Sequence, residues 1–226
     1  MIRARFALLI FLVLWRRVLL VESYTTKRPY LYHLTHRLNL SHLREMARLF
    51  PAATLMERAG RTDLIRVPRR HSERVSIDSR EIVLRDQAPL HKGNMRLPKG
   101  HSFEQFVESL NRRIFFWPGD SASPISYGIR HFEHYRKELP VILRMDVQSL
   151  LRLNPKASPL FCRYNSGSPR CSYGKRSPRG PNTFVAAVDF NETPGKVVEV
   201  TFDTEIALPP NTEYGLHPKG PWKRLL

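Results

Sequence analysis

Acidic residues are scarce in this chain: 20 Asp and Glu stand against 37 Lys and Arg, a formal charge of +17 over 226 residues. That balance favours polyanionic partners, namely DNA, RNA, an acidic membrane surface or a phosphate-bearing cofactor, without choosing among them. A soluble protein from an Arg-rich proteome would carry the same bias. Cysteine is nearly absent. Cys162 and Cys171 have no further ligands at matching spacing, which argues against a zinc site, and they read as reduced thiols of a cytosolic protein. No Gly-x-Gly-x-x-Gly follows a strand-like segment, which disfavours both a Rossmann domain and a P-loop. No repeat period is visible.

What is present is a globular composition, 42% hydrophobic and 10% aromatic, long enough for one sizeable core or at most two small ones. At the N-terminus, Phe6 to Trp15 is a continuous apolar run after Arg3 and Arg5, interrupted by Arg16 and Arg17 and resumed from Val18 to Val21. Uninterrupted, it falls short of the roughly 20 residues that span a bilayer. It has a signal-like start, but no Ala-x-Ala-like site follows. Residues 1–27 are therefore read as an extension: a weak anchor, a signal sequence, or codons upstream of the true start. The last is preferred because the first motif begins at Tyr30. The expected location is cytoplasmic, with membrane association through residues 6–21 as the alternative. Residues 28–226 form the expected domain.

Within that domain, Pro29 to Leu34 reads as a strand. Leu40, Leu43, Met46, Ala47 and Phe50 give a helix that Asn39 or Ser41 can cap. A second helix runs through Leu55 to Ala59 and stops at Gly60. Residues 66–74 read as irregular and Glu81 to Leu84 as a strand. Ser102 and Gln105 form a capping box ahead of the stripe Phe103, Phe106, Val107 and Leu110. Arg113 to Trp117 and Val141 to Met145 are expected strands, Tyr127 to Arg136 and Val147 to Leu153 helices. Residues 162–181, rich in Gly, Ser, Pro and Arg and without acid, read as a mobile basic loop. Thr183 to Val188 and Lys196 to Phe202 close the sheet. Interspersed strands and helices predict an α/β (α+β) fold: one domain with a split or mixed sheet and helices around it.

If Leu31 to Thr35 is extended, His33 and Thr35 share a face. An imidazole and a hydroxyl side by side can hydrogen-bond a ribose or a carboxamide, and Asn39 can cap the helix or reach a ligand. A structural cluster at a helix cap is the competing reading. His71, His91, His101, His131 and His134 show no ligand spacing shared with carboxylates, so no metal is expected.

The segment YHLTHRLNL (residues 32–40) resembles the opening Tyr-His-x-Thr-His-x-x-Asn-Leu pattern of DarT-type DNA ADP-ribosyltransferase toxins. In order along the chain, three further segments are similar to that family: Arg69-Arg70 with Val75; the LRDQAPL segment 84–90 with the FFWP strand 115–118; and VVEVTF (197–202) with Pro209-Pro210 after it. The chain also resembles an uncharacterised bacterial family that combines an LRDQxPL segment, an FFWP strand and an NSG…RG loop. Between Asp86 and Phe115 it is longer and more helical than the toxin pattern.

The resemblance implies an ADP-ribosyltransferase-like fold that takes NAD as substrate. His33, Thr35 and Asn39 would place NAD, Arg70 would clamp its pyrophosphate, and Glu199 would be the catalytic carboxylate. Cleaving the nicotinamide–ribose bond builds positive charge on the ribose. A carboxylate fixed beside it contributes roughly 3–4 kcal/mol, and a Glu flanked by valines calls for a specific partner. An exposed Glu on an edge strand and a solvated Arg70 are the alternatives. The resemblance also implies that the loop before the catalytic strand selects the acceptor. Here Arg163, Arg170, Lys175, Arg176 and Arg179 would contact phosphates, and Tyr164 and Tyr173 would stack on bases, making nucleic acid the expected acceptor. A basic nucleic-acid binder on the same fold, without turnover, is the other class to weigh.

Overall fold

The computed structural model describes residues 23–226; the apolar stretch 6–21 therefore lies outside the described residues. After helical residues 23–27, strand β1 (Tyr30–His36) runs two residues past its expected end and so includes Thr35. Helix α1 (Asn39–Met46) starts without any side-chain cap, so neither Asn39 nor Ser41 serves as one. It stops before Phe50 because Ala47 turns left-handed (φ 48°), with its N–H on the Leu43 carbonyl. Then come β2 (Arg48–Leu49) and α2 (Ala52–Arg58). Strands β3 (Glu73–Ile77) and β4 (Arg80–Leu84) form a hairpin whose turn, Asp78-Ser79, holds positive φ at both residues, as a two-residue hairpin loop requires.

Strand β5 (Met95–Arg96) precedes α3 (Phe103–Asn111), which carries the expected Ser102/Gln105 capping box. Strand β6 (Ile114–Gly119), α4 (Ser126–His134), β7 (Pro140–Asp146) and α5 (Val147–Leu153) follow. Asp146 caps α5, accepting from the Ser149 N–H at 2.7 Å. The last third is strand-rich: β8 (Leu160–Cys162), β9 (Cys171–Ser172), β10 (Lys175–Pro178), β11 (Val185–Ala186), β12 (Glu199–Phe202), β13 (Ile206–Ala207), β14 (Glu213–Gly215) and β15 (Lys223–Arg224).

Eight strands make one sheet in the order β11-β8-β12-β6-β1-β7-β14-β15. Every neighbouring pair in it is antiparallel. The parallel component of the expected mixed sheet is confined to β5 with β10. Helices α1 and α5 cover one face through Leu40, Leu43, Val147 and Leu150, packed on Leu31, Phe116, Leu143 and Val200. Helix α3 packs on Cys162 and Phe115 of the other face, and α4 covers Tyr32, Trp117 and Ile142 there. The result is a three-layer α+β domain. At the C-terminal edge, β14 pairs with β7, and Arg144 bonds Glu213 Oε2 through Nε (2.8 Å) and Nη2 (2.5 Å) while lying 4.4 Å from the Trp222 ring.

The sheet is divided at its centre. Strand β1 pairs with β7 along all seven residues, but with β6 only from Tyr30 to Tyr32. Beyond Tyr32↔Trp117, the remainder of β6 (Ile114 to Phe116) pairs with β12 alone. His33 to His36 and Ile114 to Phe116 thus border an opening in the ladder.

Three further expectations do not hold. Residues 162–181 are not a structureless loop: β9 and β10 form a hairpin with Tyr173 (φ 49°) and Gly174 (φ 72°) at its turn, and β10 pairs with β5. Strand β12 begins at Glu199, not Lys196, because 194–196 form a 3-10 turn. Strand β11 is two residues long, with 3-10 turns on both sides.

Candidate active site

The divided sheet opens onto a cavity of about 270 Å³ whose walls include His33, Thr35, Arg85, Trp117, Ser166 and Glu199. His33 sits where β1 leaves β6. Its Nδ1 lies 2.9 Å from the Phe115 carbonyl. A carbonyl only accepts, so Nδ1 carries the proton and Nε2 keeps a lone pair. Burial holds this imidazole well below its usual range, at about 4, against the opposing effect of the Phe115 bond. The ring is therefore neutral at physiological pH.

Strand alternation puts His33 on the face of Leu31 and Phe116, its ring 5.5 Å from the Phe116 ring. Glu199 pairs with Cys162, which belongs to the core of the opposite face. Both residues line the same cavity because the sheet is open between β1 and the lower part of β6.

Glu199 is 3% exposed. Its Oε1 accepts the Ser166 N–H at 3.1 Å, and its Oε2 has no partner. Burial raises the carboxyl to about 7; the bond from Ser166 and the charge of Arg179 pull the other way. The Ser166 N–H is held in place from behind by Arg179. This buried guanidinium donates to the carbonyls of Pro178 (2.8 Å), Asn165 (3.0 Å) and Ser166 (3.4 Å) and lies 4.6 Å from the Tyr164 ring.

Thr35 and Asn39 also line the cavity, but Asn39 is committed to the scaffold. Its amide clamps Val83, donating to its carbonyl and accepting from its N–H, both at 2.9 Å, and donates to Thr35 Oγ1 at 3.0 Å. Asn39 thus fixes Thr35 against β4, and its side chain is turned to β4 and Thr35 and not to the start of α1.

Arg70 is misplaced in the sequence reading. It is exposed, lies outside the cavity, and makes only a 3.4 Å contact to the Leu90 carbonyl. The cavity arginines are Arg69, Arg85 and others nearby. Arg69 is buried and bonded to the Arg85 carbonyl and to Asn111 Oδ1, each at 2.8 Å, and Asn111 in turn accepts from Gln87. This network pins residues 85–87 to the end of α3. Arg85 donates through Nη2 to the Thr35 carbonyl at 2.7 Å and stacks 4.5 Å from the Tyr135 ring. Its Nε and Nη1 are buried without partners. Close by, Gly128 lets α4 approach Trp117, since a Cβ there would meet the indole at 3.1 Å, and His131 comes to 4.5 Å from that ring.

Buried polar atoms without partners concentrate around this cavity. They include both ring nitrogens of His42, Nε of Arg113, Nε1 of Trp117 and Oγ of Ser166, in addition to those of Arg85 and Glu199. Each such atom costs about 1–3 kcal/mol unless something bonds to it, so the cluster fits a polar ligand. None of Arg85, Trp117, Ser166 or His42 was selected from sequence, although Arg85 lies in the LRDQ segment and Ser166 in the NSG segment.

The expected acceptor-loop residues divide. Arg170, Tyr173, Lys175 and Arg176 are exposed on the hairpin, Tyr173 fully so. Arg163 is paired with Glu192 at 2.5 Å. Tyr164 lies against Arg179, and both belong to the scaffold behind Glu199. Among the described residues no group of His, Cys, Asp and Glu is placed to hold a metal ion, both cysteines are unbridged, and no helix is long and apolar enough to cross a membrane.

Fold and site together define a single-domain α+β protein with a centrally divided sheet and a ligand-type cavity of mixed charge. The chain belongs to the family described as "Family of unknown function (DUF7002)", whose profile matches residues 29–209. No curated protein and no solved structure matches it.

Proposed function

We propose that the chain is an NAD-dependent mono-ADP-ribosyltransferase, with Glu199 as the catalytic carboxylate and nucleic acid as the acceptor. The observation that carries this reading is the convergence of His33 and Glu199, 166 positions apart in the chain, on one cavity whose buried polar atoms lack partners. The divided sheet supports the expected ADP-ribosyltransferase-like architecture.

In this reading the His33 Nε2 accepts a hydrogen bond from a ribose hydroxyl. Arg85 takes the phosphate-clamping role expected of Arg70, because it lines the cavity and two of its guanidinium nitrogens have no partner. The nicotinamide–ribose bond breaks with its electron pair moving to the nicotinamide ring nitrogen. Ionised Glu199 stabilises the positive charge left on the ribose. An acceptor nitrogen or oxygen then bonds the ribose C1′ and gives its proton to Glu199.

The hairpin favours a second reading, a nucleic-acid binder without turnover, because it offers Arg170, Lys175, Arg176 and the fully exposed Tyr173 together. Labelled NAD incubated with DNA, RNA and protein pools separates the two. The transferase reading expects label on nucleic acid with wild-type protein and at least a hundredfold loss with Glu199→Gln, the change expected from removing roughly 3 kcal/mol of charge stabilisation. Wild-type protein that is folded but neither binds nor cleaves NAD removes the reading.

A further inference from the structure

Part of the cavity is lined by residues of α1, β2 and α2, and this lining differs in kind from that around Glu199. Leu43, Leu49, Phe50, Leu55 and Ile82 supply an apolar enclosure; of the polar groups beside them, Arg48 is paired with Glu205 and Asn39 is bonded to Val83 and Thr35, which leaves His42. His42 is 8% exposed, and both its ring nitrogens are buried without partners. Burial, and then the neighbouring Arg58 and Arg80, disfavour the imidazolium. A neutral imidazole presents one N–H donor and one lone-pair acceptor. The two ring nitrogens point in divergent directions, so a ligand in the lobe meets one of them, and the apolar surroundings suit a ligand that is flat, apolar on its faces and carries donors and acceptors at its edge.

We propose that this lobe is a base-recognition site for a purine, read along its edge by His42 and covered on its faces by Leu43, Leu49, Phe50 and Leu55. A purine matches both requirements: ring nitrogens and an exocyclic amine alternate along its edge, and its faces are apolar. The same cavity supplies what a nucleotide needs next. Arg85, held on the Thr35 carbonyl, has unpartnered N–H groups for a phosphate, and Thr35 is tied by Asn39 to α1, the helix that carries His42. The assignment deepens the NAD reading and rests on it for the identity of the dinucleotide. It commits the adenine end to the α1–α2 lobe and leaves the nicotinamide end to Glu199.

The test uses full-length protein and three probes in titration calorimetry: ADP-ribose, adenosine monophosphate, and nicotinamide mononucleotide, which lacks the purine. His42→Phe removes both ring nitrogens at similar volume, and Leu55→Trp fills the lobe from a half-buried position. Thermal unfolding establishes that each variant is folded, so either one suffices. The expected result is at least a tenfold loss of ADP-ribose and adenosine monophosphate binding, with nicotinamide mononucleotide changed less than threefold. Equal losses for all three probes, unaltered ADP-ribose binding in a folded variant, or no binding of either adenine probe to wild-type protein overturns the assignment. Its fate separates from that of the transferase reading. Adenosine monophosphate bound through His42 without any NAD cleavage keeps the base site and removes the enzyme. NAD cleavage with an unchanged KM in both variants does the reverse.

Discussion

Glu199 should make the fold less stable near neutral pH than it would be with a neutral isostere. Its carboxyl is raised from 4.5 to about 7, chiefly by burial. A carboxyl raised on folding binds its proton more tightly in the native state than in the unfolded one. Its contribution is therefore fully favourable below 4.5, declines as pH climbs, and is lost above about 7. That interval corresponds to about 3 kcal/mol at about 1.4 kcal/mol per pH unit. Glu199→Gln retains an oxygen for the Ser166 N–H but places an NH2 where Oε2 has no partner, which costs about 1 kcal/mol. The net expectation at pH 8 is a gain of about 2 kcal/mol, or a Tm about 4–8 °C higher for a chain of this size. At pH 4.5 the variant should match wild type or fall slightly below it. Thermal unfolding of both proteins across pH 4.5–8.5 measures the difference directly. A constant offset at every pH, or a variant that melts lower at pH 8, would refute the idea that a buried, under-bonded carboxylate is held at this position against the interest of stability.

Exchanging arginines tests the reassigned clamp. Arg85→Gln should weaken NAD binding at least tenfold by calorimetry and Arg70→Gln less than twofold; the opposite ranking would restore the sequence reading. Arg179→Gln releases three backbone carbonyls and with them the Ser166 N–H. Label transfer should fall more than tenfold, and the rising limb of its pH profile should move above its wild-type midpoint near 7, with Arg179→Lys recovering part of both; a lower rate with an unmoved profile would reduce Arg179 to general scaffolding. For the hairpin, replacing Arg170, Lys175 and Arg176 together by Ala should reduce the slope of log affinity against log salt for single-stranded oligonucleotides by about 2, at roughly 0.7 per phosphate contact. An unchanged slope means the hairpin does not meet the phosphates.

The strands and helices with strong periodicity were legible. The Ser102 capping box and the Val147–Leu153 helix occur as their patterns imply, and the strand expected over 113–117 occurs as Ile114–Gly119, because local chemistry and tertiary packing agree there. Helix α1 ended early since its apolar spacing continues past the point where Ala47 reverses the backbone, a turn more typical of Gly or Asn. The hairpin at 171–178 was invisible because its strands are two and four residues long and gain their partner from β5, some 80 positions earlier. For the site, His33, Thr35 and Glu199 stood out as polar groups inside strand patterns. Arg69 against Arg70 could not be resolved in the same way: adjacent residues in irregular backbone have no periodicity to say which one turns inward. His42 looked like an ordinary residue of an amphipathic helix, and its significance lies only in what fails to bond to it.

The family match stops at residue 209, but the sheet does not. Strand β14 covers Ile142 to Arg144 of β7, and β15 covers β14 in turn. A fragment trimmed to the family boundary would bare a row of backbone donors and acceptors along a mostly buried, apolar seven-residue strand, the kind of edge on which chains stick to one another. It would also strip Arg144 of Glu213 and Trp222. The short tail after 209 therefore works as an edge guard, and aggregation of such a fragment would report the loss of that guard rather than a defect in the cavity.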